Sequence, residues 1–205
     1  MLDRFFRQFS GPSGLLGHVA GWLMARKNRL LNAWAVDLLE VDAAARVLEI
    51  GYGPGLAAAT CAVRTSHGVV AGIDRSEVMQ GQARRRVRRA APNARVDLRL
   101  GSAEKLPFPD AGFTRALTVN SLPFWPEPEA ALAELHRVLA PAGRLVVVLR
   151  MRREGAGRLD RSRFGMTEER LAQVRAMLGA AGFRGVEMTR RELAGEDLTA
   201  LIALR

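Results

Sequence analysis

VLEIGYGPGLAAAT, residues 47–60, places an acid, Glu49, at the end of an apolar run and follows it with three glycines in five residues. Glycine loses more freedom on folding than any other residue, so such a cluster marks a tight turn or a close approach to the main chain. The dinucleotide-binding pattern G-x-G-x-x-G is only partly met. Gly51 and Gly53 fit it, but position 56 is Leu56 and the third glycine, Gly55, comes one residue early. Pro54 also removes an N–H that could face a phosphate. No GK[ST] follows, which excludes a Walker phosphate loop. The turn suits close backbone approach more than pyrophosphate cradling.

Outward from this turn, short apolar runs alternate with helical patterns. RVLEI (46–50) precedes it, and an alanine-rich helix follows to about Ser66. VVAGI (69–73) is a second buried run, with a helix over Ser76–Ala90. RVDLRL (95–100) alternates like an outer strand, and GSAEKLPFPDAG (101–112) is a loop. FTRALTVN (113–120) is a third buried strand. PEPEAALAELHRVLA (126–140) is a helix ended by PAG, before the strand RLVVVLR (144–150). TEERLAQVRAMLGAAG (167–182) is a helix capped by Thr167. FRGVEMT (183–189) and LTALIAL (198–204) form an antiparallel pair, joined by a short connection through RRELAGED. Buried strands alternating with helices predict an α/β fold: a parallel sheet covered on both faces.

At the N-terminus, Leu2, Phe5, Phe6 and Phe9 share one helical stripe, and SGPSG (10–14) breaks it. Residues 15–40 read as two helices meeting near Lys27–Arg29, the second carrying Leu30, Leu31, Trp34, Leu38 and Leu39. The expected organisation is an N-terminal helical cap over 1–45 and a main domain over 46–205.

The chain has 205 residues and a net charge of +10. Length fits about one domain. Lys27 and Lys105 are the only lysines, so the basicity is an arginine bias of the kind a GC-rich genome produces. The densest cluster, ARRRVRRA (83–90), reads as a solvated helix face, and without interleaved aromatics it lacks stacking platforms for single strands. Nucleic acid is therefore disfavoured as a partner. A lone cysteine, Cys61, fits a small core residue and a reducing, cytoplasmic setting. MLDRFFRQFS lacks the apolar h-region of a secretory signal, and no run reaches the roughly 18 apolar residues of a membrane span. No Asp/Glu/His cluster has metal-ligand spacing, so no metal is expected.

Asp74 ends the second buried run, about 20 residues past the glycines, where a carboxylate accepts from both hydroxyls of a ribose. Glu49 adds negative charge on the glycine side, which repels a pyrophosphate and attracts an ammonium or sulfonium. A ribose, no phosphate and a nearby cation describe S-adenosylmethionine.

The runs VLEIGYGPG, GIDRSEVM, GSAEKLPFPDAGF and ALTVNSLPFWPEPEAALAELHRVLAPAGRLVVV, in this order, resemble the class I S-adenosylmethionine-dependent methyltransferases, in their small-molecule branch. The resemblance is strong over about 46–150. It implies a Rossmann-like three-layer sandwich on a mostly parallel seven-stranded sheet, with an antiparallel C-terminal strand and N-terminal helices over the site. It also implies that Gly51 and Gly53 admit the methionine part of the donor, with Tyr52 and Gly55 completing the turn. Glu49 would lie near the amino group, Asp74 on the ribose, Met79 or Ser76 beside adenine, and Ser102, Ala103 and Glu104 at the adenine edge. Two departures stand out. Ser102 replaces a usual aspartate, leaving a hydroxyl to accept without charge assistance. Tyr52 replaces a smaller residue and is expected to reach toward the acceptor. Asn120 lies where the family lines the methyl-transfer site, and His18 is a candidate base or substrate contact. His67 falls at the wrong end of the sheet and His136 reads as structural.

Asn120 is followed by Ser121, Leu122 and Pro123, so the Asn-Pro-Pro-Tyr signature of enzymes that methylate amino nitrogens of nucleobases or protein amides is absent. Leu122, Phe124 and Trp125 beside the transfer site, with the Phe5–Phe9 stripe as a lid, point to an apolar or aromatic small-molecule acceptor. An arginine-flanked interfacial helix would instead give weak membrane-surface contact. The alternatives are an RNA or protein methyltransferase and a non-catalytic S-adenosylmethionine-binding protein. The chain is expected to be a monomer or homodimer.

Overall fold

The structure is a computed structural model that describes residues 28–153 and 165–205. In chain order its elements are α1 (Arg29–Leu39), β1 (Arg46–Ile50), α2 (Leu56–Arg64), β2 (Val69–Asp74), α3 (Glu77–Ala90), β3 (Val96–Leu100) and β4 (Phe113–Val119). A 3₁₀ turn at Leu122–Phe124 leads to α4 (Pro128–Val138), then β5 (Leu139–Arg150), α5 (Glu168–Ala180), β6 (Arg184–Leu193) and β7 (Glu196–Leu204). One seven-stranded sheet has the order β3-β2-β1-β4-β5-β7-β6. Strands β1 to β5 pair in parallel, and β7 runs antiparallel to both β5 and β6.

Side-chain alternation along each strand builds two cores. Leu48, Ile50, Ala71, Ile73, Ala116, Leu145 and Val147 face one layer, where Leu132, Leu135 of α4 and Leu171, Val174 and Leu178 of α5 cover them. Val47, Val70, Leu117, Val146 and Val148 face the other, under α1, α2 and α3. Both faces of the central strands are covered, which is why β1 and β5 read as near-continuous apolar runs. This is the expected three-layer α/β sandwich.

Helix α1 is the second of the two expected N-terminal helices. Leu31, Trp34, Ala35, Val36 and Leu39 bury its inner stripe, but Leu30, expected on that stripe, is exposed. Asn32 takes the extra inward place, with its side-chain N–H donated to the Asn28 carbonyl at 2.7 Å. Phe5, Phe6, Phe9 and His18 lie outside the described residues.

Two boundaries differ from the sequence reading. Helix α4 stops at Val138, and the chain enters β5 directly, because Leu139 already pairs with Phe113. The PAG segment sits inside a bulge before Arg144 pairs with Arg115, since Pro141 has no N–H to donate and Ala142 turns to φ 61°. At the other end, RRELAGED is mostly strand. Only Ala194 and Gly195 turn the chain, both at positive φ, as a two-residue hairpin loop requires. Its polarity misled because β6 is the sheet's edge and is largely exposed.

Strand order reverses between β2 and β4 on either side of β1. The crevice beyond the carboxyl ends of β1 and β4 is therefore the place for a ligand.

Candidate active site

A cleft opens at that point, with a cavity volume of about 140 Å³. Gly51, Gly53, Asp74, Met79, Ser102, Ala103 and Asn120 all line it, as expected from the sequence.

The glycine turn owes its shape to three different constraints. Gly51, at φ 71°, lies against the loop after β4, where a Cβ would land on the Ser121 side chain. Gly53, at φ 49°, has open space around it and donates its N–H to Asp74 Oδ2 at 2.8 Å. Gly55, at φ 78°, begins α2, and a Cβ there would come within 2.6 Å of Ala83 on α3. Gly55 therefore serves helix packing and does not line the cleft.

Asp74 is the tie between turn and sheet. Its Oδ1 accepts the Ser76 N–H at 2.9 Å, while Oδ2 holds Gly53. Burial raises its carboxyl above the ordinary value, and these backbone bonds oppose the rise. The Arg75 N–H is a third backbone donor to this carboxyl, so of its roughly four lone-pair sites about one remains for a hydroxyl from the cleft.

Glu49 is buried beneath the turn, out of the cleft wall. Burial pushes its carboxyl well above the usual range, against a hydrogen bond from the Ala58 N–H and with Asp74 adding to the rise. Its Oε2 is buried with no partner. An acceptor left in this state favours a nearby cation, and a further anion would raise its cost.

Three further expected contacts also fall elsewhere. Tyr52 does not reach toward an acceptor: it is buried, its ring packs over Gly72 and its hydroxyl donates to the Arg99 carbonyl at 3.1 Å. The side chain follows the sheet face occupied by α3, a direction the turn sequence alone does not fix. Ser76 caps α3, its Oγ accepting the Met79 N–H at 3.3 Å, so Met79 alone of the pair lines the cleft. Glu104 lies behind Ser102, which hydrogen-bonds to it, and faces Arg75 at 3.4 Å. That ion pair engages the cation on this wall.

At the far wall, Phe124 is exposed and Trp125 is buried, its indole N–H donated to Ser121 Oγ at 2.9 Å. Leu122, expected beside them, is core instead. Asn28, Ser121 and Arg75 also line the cleft. The sequence offered no sign of Asn28, which the start of α1 brings across from β5. His136 is structural as read, its ring edge-on to Phe183 at 5.3 Å between centroids. His67 sits in the turn before β2, its N–H on the Ala43 carbonyl. Among the described residues no group of three His, Cys, Asp or Glu could hold a metal ion, and no helix is long and apolar enough to cross a membrane.

The comparisons with known proteins agree with this geometry. A family model described as a methyltransferase domain matches residues 48–147. An uncharacterised methyltransferase of Bacillus subtilis is 30% identical over 170 residues, covering 83% of this chain and 88% of the relative. A demethylmenaquinone methyltransferase of Thermus thermophilus is 37% identical over 129 residues, 59% of this chain and 58% of that protein. The solved structure of an S-adenosylmethionine-dependent methyltransferase from Aquifex aeolicus shares the fold, with a TM-score of 0.74 at 21% identity over 91% of this chain and 97% of that one. With the glycine turn, the acid at the end of β2 and the seven-stranded order all in place, the chain belongs to the class I S-adenosylmethionine-dependent methyltransferases.

Proposed function

We propose that the chain transfers a methyl group from S-adenosylmethionine to an apolar or aromatic small molecule. The observation that carries this reading is the division of one cleft into two walls. Asp74, tied to Gly53 and Ser76, stands at one, and Phe124 and Trp125 stand at the other.

The residues present fit the methyl donor. Asp74 keeps a free lone pair for a ribose hydroxyl. Ile73, Met79 and Ala103 give an apolar slot for adenine, with the Ser102 hydroxyl at its edge. Glu49, buried beneath the turn with Oε2 unpartnered and its pKa raised, can ionise as a cation arrives and so favours a positively charged ligand. When bound, S-adenosylmethionine supplies an electrophilic methyl group on a sulfonium. The chain's own work is then to position and to exclude water. The backbone of Gly51 and Gly53 sets how deep a ligand can lie. Phe124 and Trp125 offer apolar surface to the acceptor, and Asn120 stands between the two walls at the end of β4. The Thermus relative, named for a demethylmenaquinone, supports an acceptor of this kind.

Incubation with methyl-labelled S-adenosylmethionine and a panel of quinols, phenols and prenylated aromatics tests the reading. Label should appear in extracted small molecules. Label found only in added RNA or protein would overturn the choice of acceptor class.

A further inference from the structure

On the β4–β5 side the cleft wall lacks a hydrogen-bond acceptor. Asn120 lines the cleft, and its amide orientation is fixed from the main chain: the Arg150 N–H donates to Asn120 Oδ1 at 2.7 Å. An oxygen must therefore occupy that position, which settles which end of the amide is nitrogen. The Nδ2 group is buried with no partner. Arg150 itself is held by Glu196 at 2.8 Å and by Asn28 Oδ1 at 3.5 Å, and its Nε–H is also buried and unpartnered.

Asn120 sits at φ 52°, in the left-handed region that asparagine enters more readily than most side chains, while its N–H donates to the Val148 carbonyl at 2.8 Å. Main chain and side chain together hold the amide beside the cleft.

We infer that Asn120 Nδ2 donates to an oxygen atom of the methyl acceptor, so that the acceptor is an apolar or aromatic molecule bearing a carbonyl, phenolate or carboxylate oxygen. This rests on the methyl-transfer reading of the cleft. The Asp74 wall serves the methyl donor, and the one unpaired amide of Asn120 serves an electron-rich oxygen. An acceptor presenting only an ammonium or an amide N–H would leave Nδ2 unsatisfied.

The test uses the full chain saturated with S-adenosylhomocysteine, with binding of 1-naphthol, 2-naphthoate and unsubstituted naphthalene followed by equilibrium dialysis. The oxygenated probes should bind about tenfold or more tighter than naphthalene, the scale of one desolvated hydrogen bond. Asn120→Gly keeps the positive φ and removes the amide. Asn120→Asp keeps Oδ1 for Arg150 and replaces the donor with an acceptor. Both should collapse that preference, Asn120→Asp most severely toward 2-naphthoate, while leaving S-adenosylhomocysteine affinity within about twofold. Equal retention of oxygenated and parent probes by the unmodified chain overturns the inference alone. So does a loss of about tenfold or more in S-adenosylhomocysteine affinity in Asn120→Gly, which would assign the amide to the methyl donor. Failure of the unmodified chain to bind S-adenosylhomocysteine overturns the methyl-transfer reading and this inference with it.

Discussion

Glu49 shows how one residue can oppose stability while serving a ligand. Its carboxyl is buried and its pKa is raised well above 4.5 in the free fold. The folded state therefore holds a proton that the unfolded chain releases, so stability is greatest below the unfolded value and falls as pH rises through the raised one. Glu49→Gln keeps size and one hydrogen-bond acceptor but cannot ionise. The substituted chain should lose that downward slope, unfolding at higher urea than the parent at neutral pH. Urea midpoints measured from pH 4 upward check this; parallel pH profiles for the two proteins would show that Glu49 does not titrate in the fold. The same substitution should weaken S-adenosylhomocysteine binding, because the amide cannot give up a proton and ionise when the ligand's ammonium arrives.

Among the elements, the helix starts divide into those that belong to the cleft and those that only stabilise. Ser76 at α3 is linked to the ligand wall through Asp74, whereas Thr167 at α5 caps its helix by accepting the Arg170 N–H at 3.3 Å, in the layer that α5 shares with α4. Thr167→Ala should cost about 1 kcal/mol of stability, the ordinary value of such a cap. Chemical denaturation should register the loss, and S-adenosylhomocysteine titration should register none; a weaker titration would tie α5 to the cleft. The central elements were legible in the sequence because burial on both faces writes itself as apolar runs such as RLVVVLR. The edge hairpin was legible as an antiparallel pair, but the length of its strands was not. Strand β6 faces solvent, so its polar residues read as a connection, and only Ala194 and Gly195 carry the turn. The junction of α4 with β5 was hidden for another reason: Pro141 and Gly143 look like a loop, yet a bulge absorbs them inside a strand.

On the scale of the whole molecule, the switch in strand order at β1 gathers residues more than 90 positions apart into one cleft, Asn28 and Asn120 among them. Gly51, Gly53, Asp74 and Met79 were readable because they follow strand ends at fixed spacing. Tyr52 and Ser76 were misplaced because the pattern fixes where a residue lies along the chain but not where its side chain points. Asn28 was missed because only the packing of α1 against β4 and β5 brings it there. The central claim is that Asp74 and Glu49 select a nucleoside bearing a cation and reject a diphosphate. Isothermal titration with S-adenosylhomocysteine and with NADH, on the parent chain and on Asp74→Ala, tests it most directly. Heat should appear only with S-adenosylhomocysteine, and Asp74→Ala should lose about 1.5–3 kcal/mol of affinity. Tighter binding of NADH, or an Asp74→Ala chain that binds S-adenosylhomocysteine as the parent does, would contradict it.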